Sequence, residues 1–170
     1  VLIYISLRFE LSFAVGAFAA LFHDIVICIG IVVIFGTELS LIHVGAFLTI
    51  AGYSINDTIV VFDRMRESLR NKRGKVIDVM NIAINATLSR TILTSVTTFV
   101  AVLVLWIFGG AALKEFSFAI MIGVVVGTYS SIFIAAPVVY IWSKARGTNL
   151  RKELLDADLD MSMQISEPAE

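Results

Sequence analysis

The chain has 170 residues, of which 58% are hydrophobic and 16% charged, with a net charge of -1 and a mean hydropathy of +0.92. A soluble domain carries about 45–50% apolar residues, so this composition excludes one and indicates a membrane protein. The single cysteine, Cys28, excludes an internal disulfide and a multi-cysteine metal site, and His23 and His43 show no metal-ligand spacing.

A membrane-crossing helix needs about 20 mostly apolar residues. Residues 1–7 are read as the tail of a truncated span, so Val1 is taken as a point inside a longer protein. Residues 11–35 form a second span, broken only by His23-Asp24. Residues 39–62 form a third, and it contains Asn56-Asp57. A fourth runs over 91–108 and a fifth over 116–142, where Pro137 is expected to kink the helix. The runs are long and lack polar alternation, so the expected fold is all-α, a polytopic membrane helix bundle over residues 1–146. Between Arg64 and Arg90, apolar residues recur at helical spacing from Val76, which predicts an interfacial helix over about 76–89. Residues 147–170 read as an acidic, disordered tail.

Lys and Arg set the orientation. Arg8, the run from Arg64 to Lys75 and the group Lys144, Arg146, Arg151 and Lys152 all fall on one side. That side is expected to be cytoplasmic, together with the C-terminus. The first span must then descend from outside, which implies an extracytoplasmic segment upstream of Val1.

Polar residues within the spans are the functional candidates. Asp57 lies about 9 Å along the helix axis from Asp63, inside the hydrocarbon. A charged residue at helix centre costs roughly 2.5–3.5 kcal/mol, so such an acid must be protonated, paired or facing water. Arg90 enters the next, antiparallel span and is either its partner or a residue snorkelling to the headgroups. Arg90, Thr94 and Thr98 share a helix face, which either carries a proton wire or packs against a neighbour. His23 and Asp24 diverge by about 100° on a helix and so are not expected to stack on one another. With Asn56 they are candidates for the same polar cluster or for static hydrogen bonds. Gly45 and Gly52, and Gly123 and Gly127, offer small faces for close helix approach. Cys28 reads as a packing residue, and His43 carries no assigned role. No nucleophile–base set, phosphate loop, cofactor motif or nucleic-acid signature is present, so neither an enzyme nor a nucleic-acid partner is expected.

The segments "GYSINDTIVVFDRMRE", "LIYISLRFE", "FHDIVI", "SRTILTSVTTF", "LWIFGG" and "FSFAIMIGVVVGTYSSIF" resemble, in order, those of the SecF proteins or the SecF half of fused SecDF. These belong to the resistance-nodulation-division superfamily, and the likeness covers about residues 1–145. It implies a six-helix membrane part with a large extracytoplasmic domain after the first helix, this chain being the last five helices. It further implies an auxiliary role in protein secretion across the bacterial cytoplasmic membrane. Such a subunit pairs with SecD and uses the proton-motive force to assist preprotein translocation through SecYEG after SecA has acted. By the same resemblance Asp57 is the proton-responsive acid and Arg90 its functional companion. A proton-driven exporter of small molecules or lipids, and a purely structural scaffold, are the competing readings.

Overall fold

The computed structural model describes residues 11–147, 150–152 and 154. The truncated span over 1–7 and most of the predicted tail lie outside these residues. The described chain is a helix bundle: α1 (Leu11–Ile34), α2 (Leu41–Asn71), α3 (Val76–Phe108), α4 (Ala111–Ser130), a π-helical turn (Ser131–Ala135) and α5 (Ala136–Ala145). The last three form one continuous rod, Ala111–Ala145, so the described residues hold four helices long and apolar enough to cross a membrane.

Two boundaries differ from the sequence reading. The helix that carries the third span does not end at Phe62. Helix α2 continues to Asn71, because the charged segment after Asp63 is still built of good helix formers. The predicted interfacial helix is not separate either. It is the opening of α3, which runs unbroken to Phe108, with no Gly or Pro near Arg90 to stop it. At ~1.5 Å per residue α2 and α3 are roughly 46 and 50 Å long, against about 30 Å of hydrocarbon. Both therefore project beyond the bilayer at the basic end, where residues 72–75 join them.

The rod α4–π–α5 is central: α1, α2 and α3 all pack on it. Helix α3 is peripheral, and only 11% of its apolar window is buried, against 44% for the rod. Its exposed Ile92, Leu93, Val96, Val100 and Val104 form the kind of extended apolar surface that lipid or another membrane helix covers. Two apolar clusters fill the interior. One, towards the basic end, gathers Phe13, Phe62, Met65, Leu69, Val79 and Val139. The other gathers Cys28, Val32, Ala46, Ile50 and Val124. The expected distortion near Pro137 takes the form of the π turn just before it. Proline removes a backbone donor and crowds the preceding turn, and a π turn accommodates both.

The tail is not wholly free of structure. Residues 150–152 and 154 are helical, with Leu150 and Leu154 buried in the cluster at the basic end. Arg151 donates from Nε to the Leu69 carbonyl (3.0 Å) and from its terminal nitrogens to the carbonyls of Lys72 (2.8 Å) and Gly74 (3.3 Å). A guanidinium thus satisfies free carbonyls at the C-terminus of α2 and in the loop after it. Arg151→Ala should speed amide hydrogen exchange over residues 69–75 by several-fold and leave α1 unchanged. Equal protection in both proteins would mean that the contact holds nothing in place.

Candidate functional site

A polar layer lies between the two apolar clusters, and it consists of two junctions on different sides of the rod. At the first, α1, α2 and α4 meet around Asp24, which is fully buried. Its Oδ2 accepts from Ser54 Oγ (2.5 Å) and Ser130 Oγ (2.8 Å), and its Oδ1 lies 3.1 Å from His23 Nδ1. The expectation that neighbouring side chains on a helix diverge is corrected here. The short aspartate and the longer imidazole bend towards each other because the pairing relieves a carboxylate of its desolvation. Asp24 therefore has three polar partners.

At the second junction, α2, α3 and the π turn meet around Asp57, which is 7% exposed. Among the described residues its one hydrogen bond is from Ser131 Oγ to Oδ2, 2.7 Å. Successive residues, Ser130 and Ser131, thus serve the two acids, because a step of about 100° carries their side chains to different sides of the rod. One turn away towards the basic-free end stands a layer of hydroxyls. Tyr53 donates to Ser95 Oγ (3.1 Å), and Ser95 Oγ lies 2.6 Å from Thr128 Oγ1.

Arg90 does not pair with Asp57. It is exposed and, among the described residues, makes no ion pair. It borders a groove of about 350 Å³ shared with Val60, Asp63, Arg64 and Thr87. Its Cα is level with the Asp57 region, but a helical side chain leans towards its own N-terminus, which for α3 is the basic end. Thr94 and Thr98 do not join the site either. Their hydroxyls return to the carbonyls of Arg90 (3.1 Å) and Thr94 (2.8 Å) in their own helix. The buried face of α3 is instead Thr87, Thr91 and Ser95. Asn56 is exposed, next to Asp57 but on the outer surface of α2.

The glycines divide. A Cβ on Gly123 would meet Ile50 Cγ1 at 2.3 Å, and one on Gly127 would meet Ser54 Cβ at 3.3 Å, so both pack within the chain against α2. Gly45 has only Phe116 at 4.0 Å, and Gly52 has nothing within 4 Å. His43, given no role by its sequence position, is buried and accepts from the Ser40 backbone N–H at 3.3 Å, closing the start of α2. Sequence reasoning also missed Ser54, Ser130 and Ser131 as acid partners. For Ser130 and Ser131 the available signal was their place three and four residues after Gly127, which reads equally as packing; Ser54 carried no comparable signal. No cluster of metal-ligating side chains occurs among the described residues.

Known proteins match this arrangement. The profile of the family described as protein export membrane protein SecD/SecF, C-terminal, matches residues 1–145. Protein translocase subunit SecF of Calditerrivibrio nitroreducens is 51% identical over 149 residues, covering 86% of this chain and 49% of that protein. The subunit of the same name from Rhodothermus marinus is 49% identical over 159 residues, covering 89% and 51%. The crystal structure of SecDF, a translocon-associated membrane protein from Thermus thermophilus, superimposes with a TM-score of 0.80 at 43% identity, covering 84% of this chain and 20% of that one. The chain thus spans about half the length of the curated relatives it matches.

Proposed function

Because the chain belongs to the SecD/SecF family of protein export membrane proteins, we propose that it is the membrane part of a SecF-type subunit that couples the proton-motive force to preprotein translocation. Its partners in this reading are SecD, the SecYEG channel with SecA acting upstream, the translocating preprotein and the lipid bilayer. It resides in the bacterial cytoplasmic membrane with its C-terminus inside. Asp57 is the proton-responsive acid and Arg90 its functional companion.

The observation that carries the reading is the contrast between the two buried acids. Among the described residues Asp24 has three polar partners and acts as a lock between helices, whereas Asp57 has one. A carboxylate can accept about four hydrogen bonds, so most of the acceptor capacity of Asp57 is left for a proton or for a partner that moves. Arg90, without an ion pair among the described residues and one residue from the buried face of α3, offers a positive charge that a modest helix rotation brings towards Asp57.

The orientation is tested directly. Arg73 is exposed in the loop between α2 and α3. Arg73→Cys in the full-length protein should react with a membrane-impermeant thiol reagent from the cytoplasmic side alone. Labelling from outside in intact cells would overturn the proposed topology. The function itself is tested by reconstituting the full-length protein with SecD and the channel in proteoliposomes. Translocation should rise on imposing a proton gradient, and an equal rate with and without the gradient would sink the proposal.

A further inference from the structure

The two polar layers around the second junction repeat one another. Passing from the hydroxyl layer towards the basic end by one helical turn adds four residues on α2 and, because α3 is antiparallel, subtracts four on α3. Tyr53 is thereby replaced by Asp57, Ser95 by Thr91, and Thr128, three residues along the rod, by Ser131. In the outer layer all three hydroxyls are joined, Tyr53 to Ser95 and Ser95 to Thr128. In the layer of the acid, Ser131 is joined to Asp57. The remaining member, Thr91, is 1% exposed, and its Oγ1 is a buried hydroxyl without a hydrogen-bond partner.

An unpaired buried hydroxyl is costly because it has given up its hydrogen bonds to water, and a helical threonine has a ready alternative in the carbonyl four residues back. Thr87 and Thr98, on the same helix, take that alternative. Thr91 does not, and it stands in the register position opposite the acid. We propose that Thr91 is the second polar partner of Asp57, a positioning residue that serves the acid in both protonation states; this rests on the reading of Asp57 as proton-responsive. A hydroxyl is donor and acceptor at once. It donates to the carboxylate, which Ser131 alone leaves short of donors, and it accepts from the neutral acid, whose own O–H needs an acceptor. Thr91 is not bonded to the acid in this structure; a helical threonine has two common χ1 positions, and turning between them brings the hydroxyl to Asp57 without a helix movement. The charged and titratable groups on the surrounding helices include Asp24 and His23 at the first junction, paired to each other, Tyr53 in the hydroxyl layer, buried Arg66 further along α2, and Asp63, Arg64 and Arg90 around the groove at the basic end.

Infrared difference spectra between acidic and alkaline pH, taken on the full-length protein in lipid, test this. The carbonyl band of protonated Asp57 is the one missing from Asp57→Asn. Thr91→Val is close in shape and removes the hydroxyl, so that band should move to higher wavenumber. Thr91→Ser should return it to the wild-type position, which a merely steric role for Thr91 would not require. If the band is present and stands at the same place in Thr91→Val, Thr91 is no partner of Asp57 and the proposal is wrong, while the reading of Asp57 survives. If Asp57→Asn removes no band, Asp57 does not titrate, and both fall.

Discussion

Asp57→Asn should leave the protein folded and assembled and reduce the gradient-dependent increment of translocation to background. The amide keeps the shape of the carboxyl and still accepts the hydrogen bond from Ser131, so the junction of α2, α3 and the rod retains its packing. What it cannot do is take up and release a proton. One elementary charge moved through 100 mV supplies about 2.3 kcal/mol, equivalent to a change of roughly 50-fold in a two-state ratio at about 1.4 kcal/mol per tenfold. That is enough to bias helix packing between two arrangements, and losing it should remove the gradient effect without touching an ATP-driven step. Arg90→Ala should lower the same increment substantially, and Arg90→Lys less so if charge alone matters. The measurement is translocation into proteoliposomes with and without a proton gradient. Full gradient dependence in Asp57→Asn would make Asp57 a structural residue like Asp24. The parallel substitution Asp24→Asn is expected to act differently, as lower yield and stability, since it disturbs three contacts in a fully buried site.

The sequence makes the spans, their order and the identity of the buried acids legible, because length and hydropathy determine what can cross a bilayer and an acid within a span stands out against its neighbours. It does not reveal which face of each helix turns inward. Helix α3 is apolar all round and carries threonines on two faces, Thr94 and Thr98 on one and Thr87 and Thr91 on the other. Periodicity cannot choose between them, and the structure places the second pair inside. The same blindness separates Arg90 from Asp57: they are close in depth, yet the arginine side chain leaves its helix on the exposed side. Charge ends the membrane crossing but not the helix, so α2 runs on to Asn71. The ordered start of the tail was invisible because its composition is polar overall, whereas two residues, Leu150 and Leu154, are sufficient to dock it.

Single alanines at three glycines should separate contacts inside the chain from a face open to a partner. At Gly123 a Cβ would fall 2.3 Å from Ile50 Cγ1 and 2.7 Å from its Cγ2. At Gly16 it would fall 2.5 Å from Val139 Cγ2 and 2.9 Å from the Ala135 carbonyl oxygen. Ile50 and Val139 are β-branched, and in a helix such side chains are held largely to one χ1 rotamer, so neither can swing aside. The Ala135 oxygen is backbone and cannot move without the π turn. The helices must therefore separate, α2 from the rod in one case and α1 from the rod in the other, and overpacking of this kind costs about 1–3 kcal/mol. Gly123→Ala and Gly16→Ala should each lower the thermal unfolding midpoint of the full-length protein in detergent by several degrees. Gly52 has open space in place of these neighbours and lies on the exposed face of α2 beside Asn56 and Leu48. Gly52→Ala should leave the midpoint unchanged or raise it slightly, since alanine is the better helix former by about 1 kcal/mol. If Gly52→Leu keeps that midpoint yet releases SecD on co-purification, the face of Gly52 is where the partner half seats. If instead Gly123→Ala is tolerated and Gly52→Ala unfolds the protein, the packing of α2 against the rod described above is wrong.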